Sequence, residues 1–356
     1  MTRFLARHAL TIGTGIVAIA FLLTGRVTLA AAKKAIDVDL LLVLFALLVA
    51  VEILRESAWL DLTVAITISR FHTTRGFAVA LMAISGLLAA LVTNDVALFV
   101  VIPLTVVASR FSDFDLEDAV ILEIIAANLL GCLTPLGNPQ NLFIFHRSGW
   151  SAAHFVAVML PFVAASAAGL LLAVFLLGPT RPLVKADVTL PPRDVLGGLA
   201  GAVCFALVLL EIARVVNGWP AAIVAIVAGI WLLPRRLFAL DLSIVPLFLF
   251  AFVIVEGLPR IHLAGHIYVS ALALSQVISN VPATILLSPL AVHDWKSLLY
   301  GANAGGCGTI IASLANLLGW RIYAKESGRD PRFFRRLTAL NFAFLMWIGV
   351  AAWLLL

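Results

Sequence analysis

Charge is what this sequence has least of. Only 12% of its 356 residues are Asp, Glu, Lys or Arg while 63% are hydrophobic, and the mean hydropathy is +1.11. A soluble domain covers its water-facing surface with about a quarter charged residues, so most of this surface faces a lipid bilayer. Cysteine is nearly as scarce. Cys132, Cys204 and Cys307 lie in apolar segments without C-x-x-C spacing, which excludes a disulfide framework and a structural zinc site. Two-residue alternation is missing too, and with it an outer-membrane barrel, because the apolar stretches are long and continuous. The seven histidines form no H-E-x-x-H and no P-loop is present. A zinc-dependent membrane enzyme is therefore not encoded, and ATP drive would require an accessory ATPase subunit. The net charge of +5 calls for no nucleic acid, since Lys and Arg gather in cytoplasmic loops for topological reasons. No cofactor and no fixed metal are expected.

What is present is an all-α polytopic membrane pattern. Apolar stretches fall at 9–25, 39–55, 77–109, 119–146, 153–178, 195–213, 219–233, 240–256, 262–292, 297–320 and 334–356. Segments 77–109 and 262–292 are long enough for two half-crossings each and carry polar residues and prolines: Thr93-Asn94-Asp95 with Pro103, and Ser279-Asn280 with Pro282 and Pro289. They read as re-entrant hairpins, whose tips must be buried in protein or line a cavity. About nine full spans plus two hairpins result. With a cytoplasmic N-terminus, 17 of the 24 Lys and Arg fall inside and 7 outside, as the positive-inside rule requires. Arg3, Arg7, the apolar run after them and Leu29-Ala30-Ala31-Ala32 also resemble a cleavable signal peptide. An internal repeat argues against cleavage.

That repeat aligns 16 positions without gaps at a spacing of 175: Ala127-Asn128-x-x-Gly131-Cys132-x-Thr134, then Asn141-Leu142, against Ala302-Asn303-x-x-Gly306-Cys307-x-Thr309, then Asn316-Leu317. The tips Thr93-Asn94 and Ser279-Asn280, with Pro103 and Pro289, match at a spacing of 186, and Asp39-Leu40 with Glu52 parallels Asp241-Leu242 with Glu256. Three parts follow: 1–178, a first repeat with scaffold helices, hairpin 77–109 and broken helix 119–146; 179–218, a cytoplasmic connector and an odd helix; and 219–356, a second repeat with hairpin 262–292 and broken helix 297–320. The odd helix starts the second repeat from the opposite face, so the repeats are inverted. Inverted repeats with discontinuous helices mark secondary transporters, whose sites form where the repeats meet near the midplane.

The polar residues fit such a site. Pro135 and Pro139 flank Gly137-Asn138, which no regular helix accommodates. A break exposes carbonyls for a cation, while helix N-terminal N–H groups face an anion. The candidate binding residues are Thr93, Asn94, Asp95, Asn128, Thr134, Gly137, Asn138, Asn141, Ser279, Asn280, Thr284, Asn303, Thr309 and Asn316. An isolated Gly-x-x-Gly would point to helix packing; its duplication points to a site. Asp95 is the ionisable residue at a tip, where a carboxylate costs roughly 2.5 to 3.5 kcal/mol on insertion scales and usually marks an ion path. Glu123, five residues before Asn128 on the same helix, is a second carboxylate candidate. Glu52, Glu56, Glu211 and Glu256 sit near span ends and read as interfacial, and Cys132 and Cys307 read as small packing residues. No Arg or Lys falls at either tip or break, so an anion there would depend on helix ends, hydroxyls, amides and a co-bound cation.

Nearly the whole chain resembles the ion transporter superfamily of divalent anion/sodium symporters, citrate transporters, arsenite efflux permeases and a group of sodium/proton antiporters. The resemblance rests most on Thr93-Asn94-Asp95-Val96, on Thr134-Pro135-Leu136-Gly137-Asn138-Pro139-Gln140-Asn141-Leu142 and on Gly301-Ala302-Asn303-Ala304-Gly305-Gly306. It implies two hairpins, two broken helices, a homodimer and elevator transport. Dicarboxylate symporters of the family carry Ser-Asn-Thr at both tips, against Thr93-Asn94-Asp95 and Ser279-Asn280-Val281 here. The Asn and the hydroxyl carry over and the third position does not, so the Thr-Asn-Asp tip is similar to the arsenite-permease-like and anion-permease branches. The expectation is a secondary transporter of a small anion or oxyanion in a bacterial inner membrane, coupled to H+ or to Na+ bound transiently near Asp95. The alternative is a sodium/proton antiporter with no anionic substrate. A channel would need a continuous polar pore, which two closed half-sites do not suggest.

The inverted arrangement predicts that the loop near Ala35 is outside and the loop near Ala186 cytoplasmic. In a background lacking Cys132, Cys204 and Cys307, single cysteines at Ala35 and Ala186 should react with an impermeant thiol reagent from opposite faces. Labelling from one face contradicts the inversion.

Overall fold

A computed structural model describes residues 2–59, 73–109, 114–177, 180–182, 194–212, 215–233, 240, 242, 244–257, 266–327 and 331–356. Several features of the sequence reading lie outside these residues: Arg70, Arg110, Arg214, Arg235, Arg236, Arg260 and Arg329 of the orientation count, Lys185, Ala186 and Arg193 of the connector, Asp241, and positions 262–265 of the second hairpin segment.

The described chain is all-helical: α1 (Thr2–Leu23), α2 (Leu29–Ala35), α3 (Val38–Glu56), α4 (Thr74–Val92), α5 (Asn94–Ser109), α6 (Leu116–Leu129), α7 (Pro139–Ser148), α8 (Ala152–Leu177), α9 (Val195–Ile212), α10 (Gly218–Leu232), α11 (Ile244–Gly257), α12 (Ile267–Ile278), α13 (Asn280–Leu287), α14 (Trp295–Ala304), α15 (Leu314–Glu326) and α16 (Pro331–Leu355). Among the described residues α4, α8 and α16 are long and apolar enough to cross a bilayer by length and composition. Two compact units emerge, each drawing on both halves of the chain: Met1–Ser57 with Asp194–Ala264, and Ala58–Arg193 with Gly265–Leu356.

In the first unit α3 packs against α9 and α10, and α1 against α11. Asp39 Oδ1 accepts the Gly218 N–H at 3.0 Å, which joins the start of α3 to the start of α10. Cys204 is fully buried, its Sγ 3.7 Å from the carbonyls of both Ala46 and Ala221, a packing role.

In the second unit α4 and α5 pack against each other and against α6, α12 and α13 pack against α14, and α15 lies on α5 and α6. A single residue, Thr93, separates α4 from α5, and a single residue, Ser279, separates α12 from α13. Both are forced into backbone that L-residues avoid: Thr93 has φ 93° and ψ 149°, Ser279 φ 73° and ψ 153°. That region is essentially reserved for glycine, and each such residue stores about 1 to 3 kcal/mol. α4 has 19 residues and rises about 28 Å at 1.5 Å per residue, close to a full crossing where the sequence predicts a half-crossing. α12 and α13 have 12 and 8 residues.

α6 and α15 are the helices beside the breaks. After α6 the chain passes through tight turns at Gly131–Leu133 and Pro135–Gly137, with Thr134 and Asn138 extended, before α7 starts on Pro139. A Cβ on Gly137 would overlap the Gly131 carbonyl, so the folded break tolerates no side chain there. After α14 the chain runs irregularly from Gly305, with Gly308 at φ 106°, until Ser313 caps α15 by accepting the Ala315 N–H.

Thr93→Gly tests the strained tip. Relief of that strain should outweigh the unfolded-chain entropy a glycine adds, about 0.4 to 1 kcal/mol, so the unfolding midpoint in detergent should hold or rise. Thr93→Ala keeps the strain and should show no such gain. Equal loss in both variants would mean the tip stores none.

Candidate substrate and ion site

Every candidate residue falls in the second unit, and hydrogen bonds tie most of them into two matching amide clusters, one on Asn128 and one on Asn303. Asn128, near the end of α6, donates through Nδ2 to Asn316 Oδ1 at 2.8 Å. Asn303, near the end of α14, donates to Asn141 Oδ1, also at 2.8 Å. Each bond joins one half of the sequence to the other, and the spacing of 175 converts one pair into the other. The acceptors match as well. Asn128 Oδ1 receives Asn94 Nδ2 at 3.0 Å and the Ser313 hydroxyl at 2.9 Å, and Asn303 Oδ1 receives Asn138 Nδ2 at 3.1 Å and Gln140 Nε2 at 3.5 Å. Asn138 and Ser313 are themselves 175 apart.

The same asparagines satisfy the broken backbone. Asn141 Nδ2 reaches the carbonyls of Cys132 at 3.1 Å and Thr134 at 3.3 Å, and Asn316 Nδ2 those of Gly306 at 2.9 Å and Thr309 at 3.2 Å. The Thr134 hydroxyl bonds the Ala90 carbonyl on α4. The Thr309 hydroxyl donates to the Gln276 carbonyl, and the Thr309 N–H to Gln276 Oε1, both at 2.9 Å. At the second tip the Asn280 N–H donates to the Ala312 carbonyl at 2.9 Å, with the Ser279 hydroxyl 3.5 Å from the same oxygen. Asn280 Nδ2 lies 3.0 Å from where a Cβ on Gly306 would sit, a close approach that a side chain there would crowd.

Four helices begin at or beside these clusters. α5 starts on Asn94 and α13 on Asn280, α7 starts just after Asn138 and α15 just after Ser313. The first N–H groups of α5, α13 and α15 are taken by Asn94 Oδ1, the Ala312 carbonyl and the Ser313 hydroxyl; helix N-termini with their positive dipole ends are a kind of surface that can receive an anion, and main-chain carbonyls such as those of Thr134 and Thr309 are a kind of oxygen that can ligate a cation. Asn138 Oδ1 is buried without a hydrogen-bond partner. Asp95 is half-buried in the first turn of α5 and its N–H donates to Asn94 Oδ1 at 2.9 Å; a carboxylate there also faces the favourable end of the α5 dipole.

Two candidates stand apart. The buried Thr284 hydroxyl donates to the Asn280 carbonyl within α13 at 2.8 Å, and Glu123 bonds Thr105 rather than the amides. Three further residues take part that the repeat alone does not single out. Gln276, three residues before Ser279, donates to the Gly305 and Cys307 carbonyls at 2.8 and 3.0 Å; its signal was an amide inside an apolar run. Ser313 and Gln140 were hidden in the stretch between the identities of the repeat.

A family model described as citrate transporter, CitMHS, matches residues 4–294. The chain belongs to the citrate transporter family. The match takes in both tips and the first break; Asn303, Thr309 and Asn316 lie beyond it. "Uncharacterized transporter MJ0456" of Methanocaldococcus jannaschii is 34% identical over 293 residues, 78% of this chain and 79% of that one. "Inner membrane protein YbiR" of Escherichia coli is 33% identical over 339 residues, 90% and 88% of the two chains. "46 kDa membrane protein" of Mycobacterium leprae is 24% identical over 132 residues, 37% and 31%. Family membership and the apolar helices make this an integral membrane transporter and not an enzyme.

The reciprocal pairs should be energetically coupled. Side-chain hydrogen bonds between membrane helices average about 0.6 kcal/mol with a maximum near 1.7. A double-mutant cycle of Asn303→Ala and Asn141→Ala, read from unfolding free energies in mixed micelles, should give a coupling within that range, and Asn128→Ala with Asn316→Ala about the same. Additive losses in both cycles would mean that the amides do not hold the halves together.

Proposed function

We propose that this member of the citrate transporter family is a secondary active transporter of a small anion or oxyanion, coupled to H+ or Na+. The observation that carries the reading is a pair of matching amide clusters, free of Lys and Arg, at which α5, α7 and α15 begin, with α13 beginning at the Ala312 carbonyl next to Ser313. Such a surface offers an anion N–H groups and neutral amides, and the broken-helix carbonyls offer a cation a place beside it. A transporter must release what it binds. A site without a fixed cationic clamp supports reversible binding that depends on the coupling ion.

On this reading the two halves are inverted repeats, α4 with α5 and α12 with α13 are re-entrant hairpins, and the N-terminus is cytoplasmic. The gathering of all candidate residues into one compact unit supports elevator transport, with that unit as the carrier and the other as scaffold in a homodimer. The printed name of the Escherichia coli relative supports an inner-membrane location. Citrate, sulfate and arsenite are the substrates to try first: the family description names citrate, and neutral donors at helix ends suit all three.

Counterflow of labelled citrate, sulfate and arsenite into proteoliposomes tests the reading. At least one should exchange, and Asn94→Ala or Asn280→Ala should reduce that exchange about tenfold or more, the cost of roughly one lost charge-assisted hydrogen bond, with elution profile and helix content unchanged. Asp95→Asn should weaken dependence on a Na+ or pH gradient. Movement of Na+ and H+ with no anion exchange would establish the antiporter instead, and normal exchange in both Asn variants would remove the tips from the site.

A further inference from the structure

Glu123 has no place in the amide clusters, yet it is the most deeply buried carboxyl group among the described residues, with 0% exposure. Its Oε1 shares a hydrogen bond with the Thr105 hydroxyl of α5, its Oε2 is buried without a hydrogen-bond partner, and its main-chain carbonyl accepts the Ser85 hydroxyl of α4 at 2.9 Å. Three helices meet on this residue. The other side-chain bond described between α5 and α6 is Asn94 to Asn128, at the tip. Three side-chain hydrogen bonds thus tie the α4–α5 pair to α6, and two of them are made on Glu123, one of these to its carboxyl group.

Among the described residues nothing placed against Glu123 balances a negative charge. Thr105 is the sole polar side chain acting on the carboxyl. On α6 itself Glu117 and Asp118 lie a turn and a half or more earlier, and Arg336 of α16 is 3.2 and 2.5 Å from them. The ionisable residue of α5, Asp95, is ten positions before Thr105, and Arg75 of α4 is ten before Ser85. α15 packs on the neighbouring position through Gly319 against Ile124, and its nearest cation in sequence, Arg321, makes no bond to Glu123. His154 of α8, Lys296 and Tyr300 of α14 and Cys132 of the break likewise make none. A buried carboxylate with one hydroxyl partner, one unpartnered oxygen and no cation is a costly species, and the neutral acid is the form that fits.

We propose that Glu123 is the proton-binding group of this transporter. It holds a proton while α5 lies against α6. When α5 shifts and water enters, the carboxyl O–H bond breaks, its electron pair stays on oxygen and the proton passes to water, so proton release is linked to the position of the first tip. This rests on the transport reading above and adds to it a proton-binding carboxyl apart from the anion site and distinct from any ion bound near Asp95.

The test reads the proton directly. In infrared difference spectra of the full-length protein in lipid nanodiscs, recorded between about pH 5 and 9, wild type should show a protonated-carboxyl C=O band. Glu123→Gln should remove it, Asp95→Asn should leave it, and Thr105→Val should keep it at a shifted frequency because its hydrogen bond is lost. In proteoliposomes containing a pH dye, gradients of citrate, sulfate or arsenite should drive proton movement in wild type and about tenfold less in Glu123→Gln. A band that persists in Glu123→Gln, no band in wild type, or unchanged proton movement in that variant overturns the proposal. Should Glu123→Gln fail to fold, an unshifted band in Thr105→Val overturns it equally. If none of the anions exchanges, the transport reading fails, and the infrared spectra still decide whether Glu123 holds the proton.

Discussion

The structure depends on how two interrupted helices satisfy their backbone away from water. Within hydrocarbon an unpaired N–H or C=O costs several kcal/mol, and irregular chain is tolerated only where protein or a lined cavity receives it. Both breaks meet that condition with side-chain amides: Asn141 on the Cys132 and Thr134 carbonyls, Asn316 on those of Gly306 and Thr309, and Gln276 on those of Gly305 and Cys307. An apolar residue at any of these positions would orphan carbonyls. The breaks are also tightly folded: Gly137 lies so close to the Gly131 carbonyl that a Cβ would overlap it, and Gly306 lies close under Asn280.

Much of this was legible in the sequence because the constraint is applied twice. The spacing of 175 marks Asn128, Asn141, Asn303 and Asn316 as equivalent in pairs, and each of the four takes part in the clusters. Their pairing was not legible. A spacing identifies which residues play the same role, not which touch, and the bonds run from the first asparagine of one motif to the second asparagine of the other. Gln276 escaped because its counterpart in the first half, Ala90, has no amide: the Thr134 and Thr309 hydroxyls bond the Ala90 and Gln276 carbonyls alike, and what Gln276 adds is a side chain on the Gly305 and Cys307 carbonyls. Thr93 and Ser279 were singled out for their hydroxyls, while their left-handed backbone has no signature in a Thr or a Ser. Thr284 shows the opposite failure: a polar residue beside a tip whose hydroxyl is consumed by its own helix.

The two strained tips and the saturated amides bear on one another. A residue stays in a glycine-like conformation only when its surroundings over-determine it, and at the first tip Asn94 supplies that restraint by bonding Asn128 on α6. On the proposed reading, an arriving anion would compete for the same Asn94 donor. Engaging it exchanges one hydrogen bond for another, so the net gain is small, a typical intramolecular bond contributing only about 0.5 to 1.5 kcal/mol. The exchange also loosens what holds α5 against α6. Ligand binding and tip position are then coupled by a shared donor, and the coupling is reciprocal: whatever moves the tip changes affinity for the anion by the same factor. A site built this way is poorly suited to tight capture and well suited to carriage, because the free energy that would deepen binding is diverted into shifting helices that already store strain.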